Sequence, residues 1–530
     1  MTRQDSPPRA LLSLGLLLLT QLVWVPPRNF GGLDEWLIVE LTSRGVVSVP
    51  YAYRPLGLIW AVPAALLAPT FGFVVFRLCF ALYALGSAAL VHGVTRRLLP
   101  QQPILALLTA GFTIVWAPGD MARLSTVEGA VYQGITLGTL VAVGLLVAAW
   151  HRHSVPLLAA GVLVAFLDVR CYEGCVPVLA CAPALLLLRE PHARRLWRWA
   201  LVWWFVIGLA LAFALLEVSV SIRQNAYQLS VLGLHPDPAG WLVRMVRQYG
   251  FHLRPLYASA PTELLTPAVP VAVVAFVLGI LFHGSSPGEP SDRRLLAAVS
   301  GLGLAFAGLG YSLVLLGVTV PSAFRLEFLS GPGIALFLAA LVQLGASFWR
   351  GRAHLVVAAA LGAWIVAVGT GRTLAMQREW QSLSYEPRQM RVLSDLVHAV
   401  PDVAPATLLV FLDDGRAWRT AFSFHHAVQY LYERRAAGYV PGRADTLYAA
   451  APALDGVRFE PWPIVRKAWD APRTVYGYDQ LVIVRHTRDG AVAVLDSWPG
   501  ELTPLPDGAR YEPRSRITPG PLPRSNILAH

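Results

Sequence analysis

The sequence predicts an α-helical polytopic membrane protein of about eleven transmembrane helices. A C-terminal α/β or α+β soluble domain is expected to follow, outside the cytoplasm. Three observations carry this expectation. Of 530 residues, 55% are hydrophobic and only 14% charged, against about a quarter charged in soluble globular domains. The apolar residues gather in runs close to the ~20 residues that a helix needs to cross a bilayer. From residue 373 onward those runs give way to short apolar stretches closed by turn signals, the pattern of strands and short helices.

Candidate spans lie near 10–26, 71–93, 103–118, 131–150, 155–169, 172–188, 199–217, 268–283, 295–318, 330–348 and 354–371. The first follows MTRQDSPPRA and has the composition of a signal peptide. No small-x-small cleavage site comes after it, so it is expected to stay as the first helix. The stretch 55–69, PLGLIWAVPAALLAP, is short and bracketed by prolines. It reads as an interfacial or re-entrant segment rather than a crossing.

The arginines give the orientation. With a cytoplasmic N-terminus, the inner loops hold Arg96 with Arg97, then His151-Arg152-His153, then Arg189, Arg194, Arg195 and Arg198. Arg293 with Arg294 and Arg350 with Arg352 continue the series, as the positive-inside rule requires. The chain then reads as an integral protein of a bacterial inner membrane, with loops 27–54 and 218–267 outside. Residues 1–372 form the membrane module and 373–530 the extracytoplasmic domain. Within the latter, ATLLVFLDDG (406–415) is an apolar run ending in a turn signal, and Leu481–Val484 pairs with Ala491–Leu495 in a hairpin across Arg488-Asp489-Gly490. Trp418, Trp462, Trp469 and Trp498 are expected mostly to pack its core, stacking on sugar rings being the other use open to them.

The formal charge of +11 does not imply nucleic acid here, because the arginines sit in short loops between apolar runs. The four cysteines, Cys79, Cys171, Cys175 and Cys181, read as packing residues. Cys171 and Cys175 stand i, i+4, a poor geometry for a disulfide.

Ionisable residues collect at the outer ends of the spans: Asp34, Glu35, Arg54, Arg77, Asp120, Arg123, Glu128, Asp168, Arg170, Glu173, Glu217, Arg223, Arg325 and Glu327. A transporter coupled to ions needs polar groups near the midplane. A site for a lipid head group needs them at one interface, which is the pattern here. Part of the set has a simpler use. Glu128 and Glu217 read as solvating helix ends, and Asp120–Arg123 and Arg170–Glu173 are spaced as i, i+3 surface pairs. The carboxylates Asp34 and Glu35 and the guanidinium of Arg54 are harder to dismiss, since Pro50 and Pro55 would fix how the chain returns to the membrane.

The order LDEWLIVELTSRG, VPYAYRPLGLIWAVPAALLAP, FGFVVFRLCFALYALGSAALVHGVTRRLL resembles the opening of the GT-C glycosyltransferases. It is similar to the lipid A aminoarabinose transferases and the protein O-mannosyltransferases. The Asp-Glu pair, the later Gly, the basic-Pro-Leu stretch, the Arg-Leu and the Arg-Arg of that family correspond to Asp34-Glu35, Gly45, Arg54-Pro55-Leu56, Arg77-Leu78 and Arg96-Arg97. Roughly the first 350 residues follow the pattern, with Arg-Pro standing where Pro-Pro is usual.

The resemblance implies a sugar donor on a polyprenyl phosphate, a glycan, lipid or protein acceptor, and membrane lipids around both. It implies Asp34 as general base with Glu35 beside it. It also implies Arg54 on the lipid phosphate, with Arg170, Arg325, Arg123, Asp120 and Glu173 as further binding residues. A divalent metal, Mg²⁺ or Mn²⁺, is the cofactor it allows, with Asp34 and Glu35 as oxygen ligands. Two other readings stay open: a transporter or flippase of lipid-linked glycans, and a non-catalytic assembly protein on the same scaffold.

Overall fold

The computed structural model describes residues 7–24, 34–49, 54–117, 121–189, 195–222, 237–283, 292–315, 327–383, 386–443, 445, 447–469, 471, 473–520 and 524–528. The membrane module contains α1 (Pro7–Trp24), α2 (Glu35–Ser43), α3 (Val62–Phe71), α4 (Val74–Leu98), α5 (Pro103–Val115) and the single turn α6 (Met121–Leu124). It continues with α7 (Glu128–Arg152), α8 (Val155–Cys171), α9 (Val176–Cys181), α10 (Arg195–Ile222) and α11 (Pro238–Leu253). After two single turns come α12 (Ala268–His283), α13 (Arg293–Leu315), α14 (Gly331–Ala346) and α15 (Gly351–Leu383).

Each of the eleven expected spans meets a helical segment. Five, in α4, α7, α10, α13 and α15, are long and apolar enough to cross a bilayer, and shorter apolar helices accompany them. The outward faces carry large apolar side chains. Phe205 is 71% exposed on α10 and Leu82 66% on α4, which water would not tolerate over so wide a surface.

Local chemistry sets the boundaries. Arg96 and Arg97 occupy the last turn of α4, where cations favour the helix dipole. α7 stops at His153, which takes a left-handed conformation (φ 53°). Ser154 then caps α8 by accepting from Leu157 N at 3.4 Å. The tight reversal makes α7 and α8 antiparallel neighbours. α7 is the central helix, with 67% of its apolar window buried.

One segment departs from the regular helix expected of it. Residues 173–188 run as a 3-10 turn, the short α9 and a second 3-10 stretch, because Pro177 and Pro183 interrupt the ladder. Residues 59–71 form a 3-10 turn leading into α3. α11 is amphipathic: Gln248 and His252 are buried while Leu242, Val243 and Val246 face outward.

α15 runs unbroken through position 372, and α16 (Glu386–Ala399) follows. The region after α16 is α/β and opens with the two-residue strand β1 (Asp402–Val403). Its main sheet has the order β3-β2-β7-β8, with β2 (Thr407–Asp413), β3 (Ala436–Tyr439), β7 (Leu481–His486) and β8 (Val492–Val494). β2 is parallel to both β3 and β7, the first through the crossover helix α17 (Ala421–Leu431). Six consecutive residues of β2 are buried, as expected for a parallel strand covered on both faces. The anticipated hairpin is present, with Val484 opposite Val494 and His486 opposite Val492. A second, antiparallel sheet joins β4 (Tyr448–Ala453), β5 (Gly456–Pro461) and β6 (Thr474–Tyr476). Trp418 and Trp469 are buried in this region and Trp462 and Trp498 partly so. Packing is therefore their main use.

Candidate active site

Glu35 opens α2 and is 4% exposed; its Oε1 accepts from Ser125 Oγ at 3.1 Å. Asp34 precedes it, partly exposed, with its carbonyl accepting from Ile38 N at 2.8 Å. Ser125 follows α6, so the acidic pair is tied to the connection between α5 and α7. In that connection Arg123 donates from Nη2 to the carbonyl of Ile114. Asp120 and Arg325 lie outside the described residues.

Arg54 is placed by a two-way backbone bridge with Val49 (2.7 and 3.1 Å). Its guanidinium grips Glu173 with both edges, Nε to Oε2 at 2.9 Å and Nη2 to Oε1 at 2.6 Å. It also stacks over the Tyr172 ring, 4.3 Å from the centroid. Burial works against the Arg54 charge, but the Glu173 carboxylate outweighs it and holds the group protonated more firmly than an ordinary arginine.

The i, i+3 pairing expected between Arg170 and Glu173 does not form. α8 ends at Cys171 and Tyr172 is extended (φ −158°, ψ 113°), so the two side chains no longer share a helix face. Arg170 instead pairs through Nη2 with Glu217 on α10. Glu217 is therefore an ion-pair partner and not merely a solvated helix end. Arg170 is 8% exposed, and its buried Nη1 has no hydrogen-bond partner among the described residues. That leaves a donor aimed at no protein acceptor, an expensive arrangement unless something else fills it.

Two residues earlier on α8, Asp168 is buried and accepts from Thr139 Oγ1 at 2.6 Å. Gly138 allows this: a Cβ there would stand 2.4 Å from Asp168 Oδ1. The sequence signalled Asp168 only as one of many outer charges; its contact with α7 was not legible.

One face of α7 connects these groups to an apolar hollow. Tyr132, Thr136 and Thr139 stand at i, i+4 and i+7, on one side of a helix. Tyr132 meets Tyr172 (6.3 Å between centroids) and Phe328 (4.8 Å). Thr136 and Thr139 line a cavity of about 100 Å³ among α4, α5, α7, α9, α13 and α14. Its other walls are aliphatic apart from Phe306, Thr95 and Thr109, and include Val143, Leu185 and Leu336. Of the charged groups described above, Asp168 reaches this cavity's wall, through Thr139, and the cavity extends from there to Leu98 and Leu99 at the end of α4.

A metal ion fits less well. Among the described residues, no group of three or more His, Cys, Asp or Glu side chains is placed to hold one, and Glu35 is engaged by Ser125. Cys171 and Cys175 are buried free thiols; Cys175 donates to the Tyr172 carbonyl at 3.0 Å.

No protein-family model matches the chain, and no curated protein matches it in sequence. Among solved structures it is similar to the crystal structure of ArnT from Cupriavidus metallidurans bound to undecaprenyl phosphate. That match has a TM-score of 0.42 and 13% identity, and covers 82% of this chain and 86% of that one.

Proposed function

We propose that this chain transfers a sugar from a polyprenyl-phosphate-linked donor to an acceptor hydroxyl at the extracytoplasmic membrane face, with inversion. The observation that carries the reading is the continuity along α7. Arg54 stacks on Tyr172, Tyr172 meets Tyr132, and one and two turns further along the same helix Thr136 and Thr139 line a cavity that is almost wholly apolar.

In this reading the acceptor oxygen attacks the anomeric carbon while its proton passes to the Asp34 carboxylate. The bond from that carbon to the phosphate oxygen breaks, and its electron pair leaves with the lipid phosphate. The departing group is already a stable anion, so it needs cations rather than an acid. Arg170 is the better placed of the two arginines, because its Nη1 lacks an acceptor among the described residues and buried donors of this kind bind anions strongly. Arg54 is committed to Glu173 and serves mainly to hold Tyr172 and the loop end. Glu35, fastened to Ser125, positions Asp34.

The test is sugar transfer by purified protein in liposomes supplied with a polyprenyl-phosphate sugar. Asp34→Asn is expected to fold and insert normally and to lose transfer. Full activity in that variant removes Asp34 as the base.

A second reading, translocation of a lipid-linked glycan, draws on the interrupted segment 173–188, since transporters use broken helices. Movement of labelled lipid across the liposome without any transfer would favour it.

A further inference from the structure

The outer domain contains a second polar pocket that the bilayer-edge site does not use. It is lined by Arg388, Arg391, Gly415, His486, Arg488 and Asp489, and has a volume of about 360 Å³. Small-molecule sites range over about 300–1,000 Å³.

Its place in the sheet is informative. β2 and β7 are adjacent and parallel, but the chain leaves β2 toward β3 on one side and leaves β7 toward β8 on the other. Between two such strands the connections part, and the crevice at their carboxyl ends is where open α/β sheets bind ligands. Gly415 stands just beyond the end of β2, and His486 and Arg488 stand at and beyond the end of β7.

The side chains there are built toward an anion. His486 is 3% exposed, and its Nδ1 meets Asp413 Oδ1 at 3.0 Å. Asp413 also accepts from Ala417 N at 2.8 Å and Trp418 N at 2.9 Å, so the ring is clamped by a carboxylate that is itself fully engaged. A Cβ at position 415 would fall 2.1 Å from His486 Cε1; only glycine lets the imidazole reach the pocket wall. Arg388 and Arg391 stand i, i+3 on α16, both exposed, and Arg388 Nη1 donates to the Arg416 carbonyl at 3.1 Å. Arg488 comes from the β7–β8 turn. Against these cations the pocket sets one carboxylate, Asp489, which accepts from Thr487 Oγ1. Gln389, between the two α16 arginines, accepts from Trp36 Nε1 at 3.3 Å, which joins this wall to the helix of Asp34 and Glu35.

We infer that the crevice between the carboxyl ends of β2 and β7 binds a phosphate ester or diphosphate, held by Arg388, Arg391 and Arg488 with His486 at its back. Guanidinium groups select phosphate because two of their N–H donors match two of its oxygens. The phosphate is carried either by a water-soluble compound or by the head group of an anionic lipid. The inference is independent of the glycosyl-transfer reading, and its failure leaves that reading standing.

The experiment uses the full-length protein in phosphatidylcholine nanodiscs, with pyrophosphate as the probe in titration calorimetry. Saturable binding is expected, at least about tenfold weaker in the double variant Arg391→Gln, Arg488→Gln. It should be unchanged in Arg458→Gln, which alters an exposed arginine of β5 in the other sheet. If the double variant fails to fold, Arg488→Gln alone, in an exposed turn, must still weaken binding at least about threefold. A second arm adds phosphatidic acid to the discs. Loss of pyrophosphate binding in the wild type then identifies a lipid head group as the source, and retained binding identifies a soluble phosphate. Equal binding by wild type and double variant, or no saturable binding of either probe, overturns the proposal.

Discussion

The two ends of segment 34–54 are held by different parts of the molecule. At the acidic end, α2 lies against α17 of the C-terminal domain. Glu40 Oε2 accepts from His426 Nδ1 at 3.1 Å, His426 Nε2 meets the Tyr448 hydroxyl at 3.2 Å, and Arg44 closes on Glu40 at 2.7 Å. Arg524, near the C-terminus, donates to Ser43 Oγ at 3.1 Å. At the basic end, Arg54 is held by Glu173 and Tyr172, and Leu56 N donates to the Arg170 carbonyl at 3.3 Å. The helix that carries the acid is thus held by the C-terminal domain through Glu40 and Ser43 and by the bundle through Glu35 and Ser125, whereas Arg54 is held by the bundle alone. α2 is a strap between that domain and the bundle, so the docking of the domain bears on where Asp34 stands.

The largest expected effect breaks the acidic end chemically. Asp34→Asn should lower transfer by about 10²–10⁴-fold with no change in thermal unfolding, the range for losing a general base. Next is the basic side. Arg170→Gln should cost about 10²–10³-fold in kcat, as for a lost charge-stabilising donor, and Arg170→Lys should recover only part of it, because lysine cannot present two parallel donors. Rates of Arg170→Gln equal to wild type would place the lipid phosphate elsewhere.

His426→Ala tests the strap itself, far from any reacting atom. It leaves Glu40 buried without its main partner and should destabilise the C-terminal domain by about 2–3 kcal/mol. It should also reduce transfer, since Asp34 is carried on the same helix. An unchanged rate would show that domain docking does not position the acid.

The same contact has a pH signature. Burial works to raise the Glu40 pKa, but the hydrogen bond and charge of His426, with the charge of Arg44, outweigh it and hold the carboxyl below the ordinary glutamate range. A depressed folded pKa means the stabilisation is full above the unfolded value of about 4.3. It is lost as the pH falls through the lower folded value. Hydrogen exchange at Trp36 and His426 should therefore quicken in acid, and Glu40→Gln should remove that dependence.

The smallest effect is expected at Glu217, whose side chain is 46% exposed. Glu217→Gln should change stability by about 0–1 kcal/mol. A larger loss would mean that the Arg170 charge depends on it.

Much of the helical architecture was legible because an apolar run of bilayer length satisfies its own backbone hydrogen bonds. The run at 406–415 was legible as apolar and closed by a turn, and the 481–495 hairpin from its turn residues between two apolar runs. The interruption at 173–188 was readable in Pro177 and Pro183 but was passed over for the apolar composition around them. The candidate site was legible as a list of charges and not as a set of partners. Arg170 and Glu173 carried a helix-surface spacing that the extended Tyr172 cancelled. The pocket of Arg388, Arg391 and Arg488 had no sequence signal, since arginine is the default cation throughout this chain, with Lys467 its only lysine.

By itself the sequence determined where this chain is apolar, where it is charged and which segments are helices or strands, because those properties depend on neighbours within a few residues. Only the tertiary structure decided that Arg54 answers Glu173 across 119 positions, that Arg170 answers Glu217, and that Glu40 answers His426 across 386. Charges in a poorly polarisable setting pair with whatever opposite charge the packing delivers, and packing depends on how whole helices and a sheet come to rest against one another.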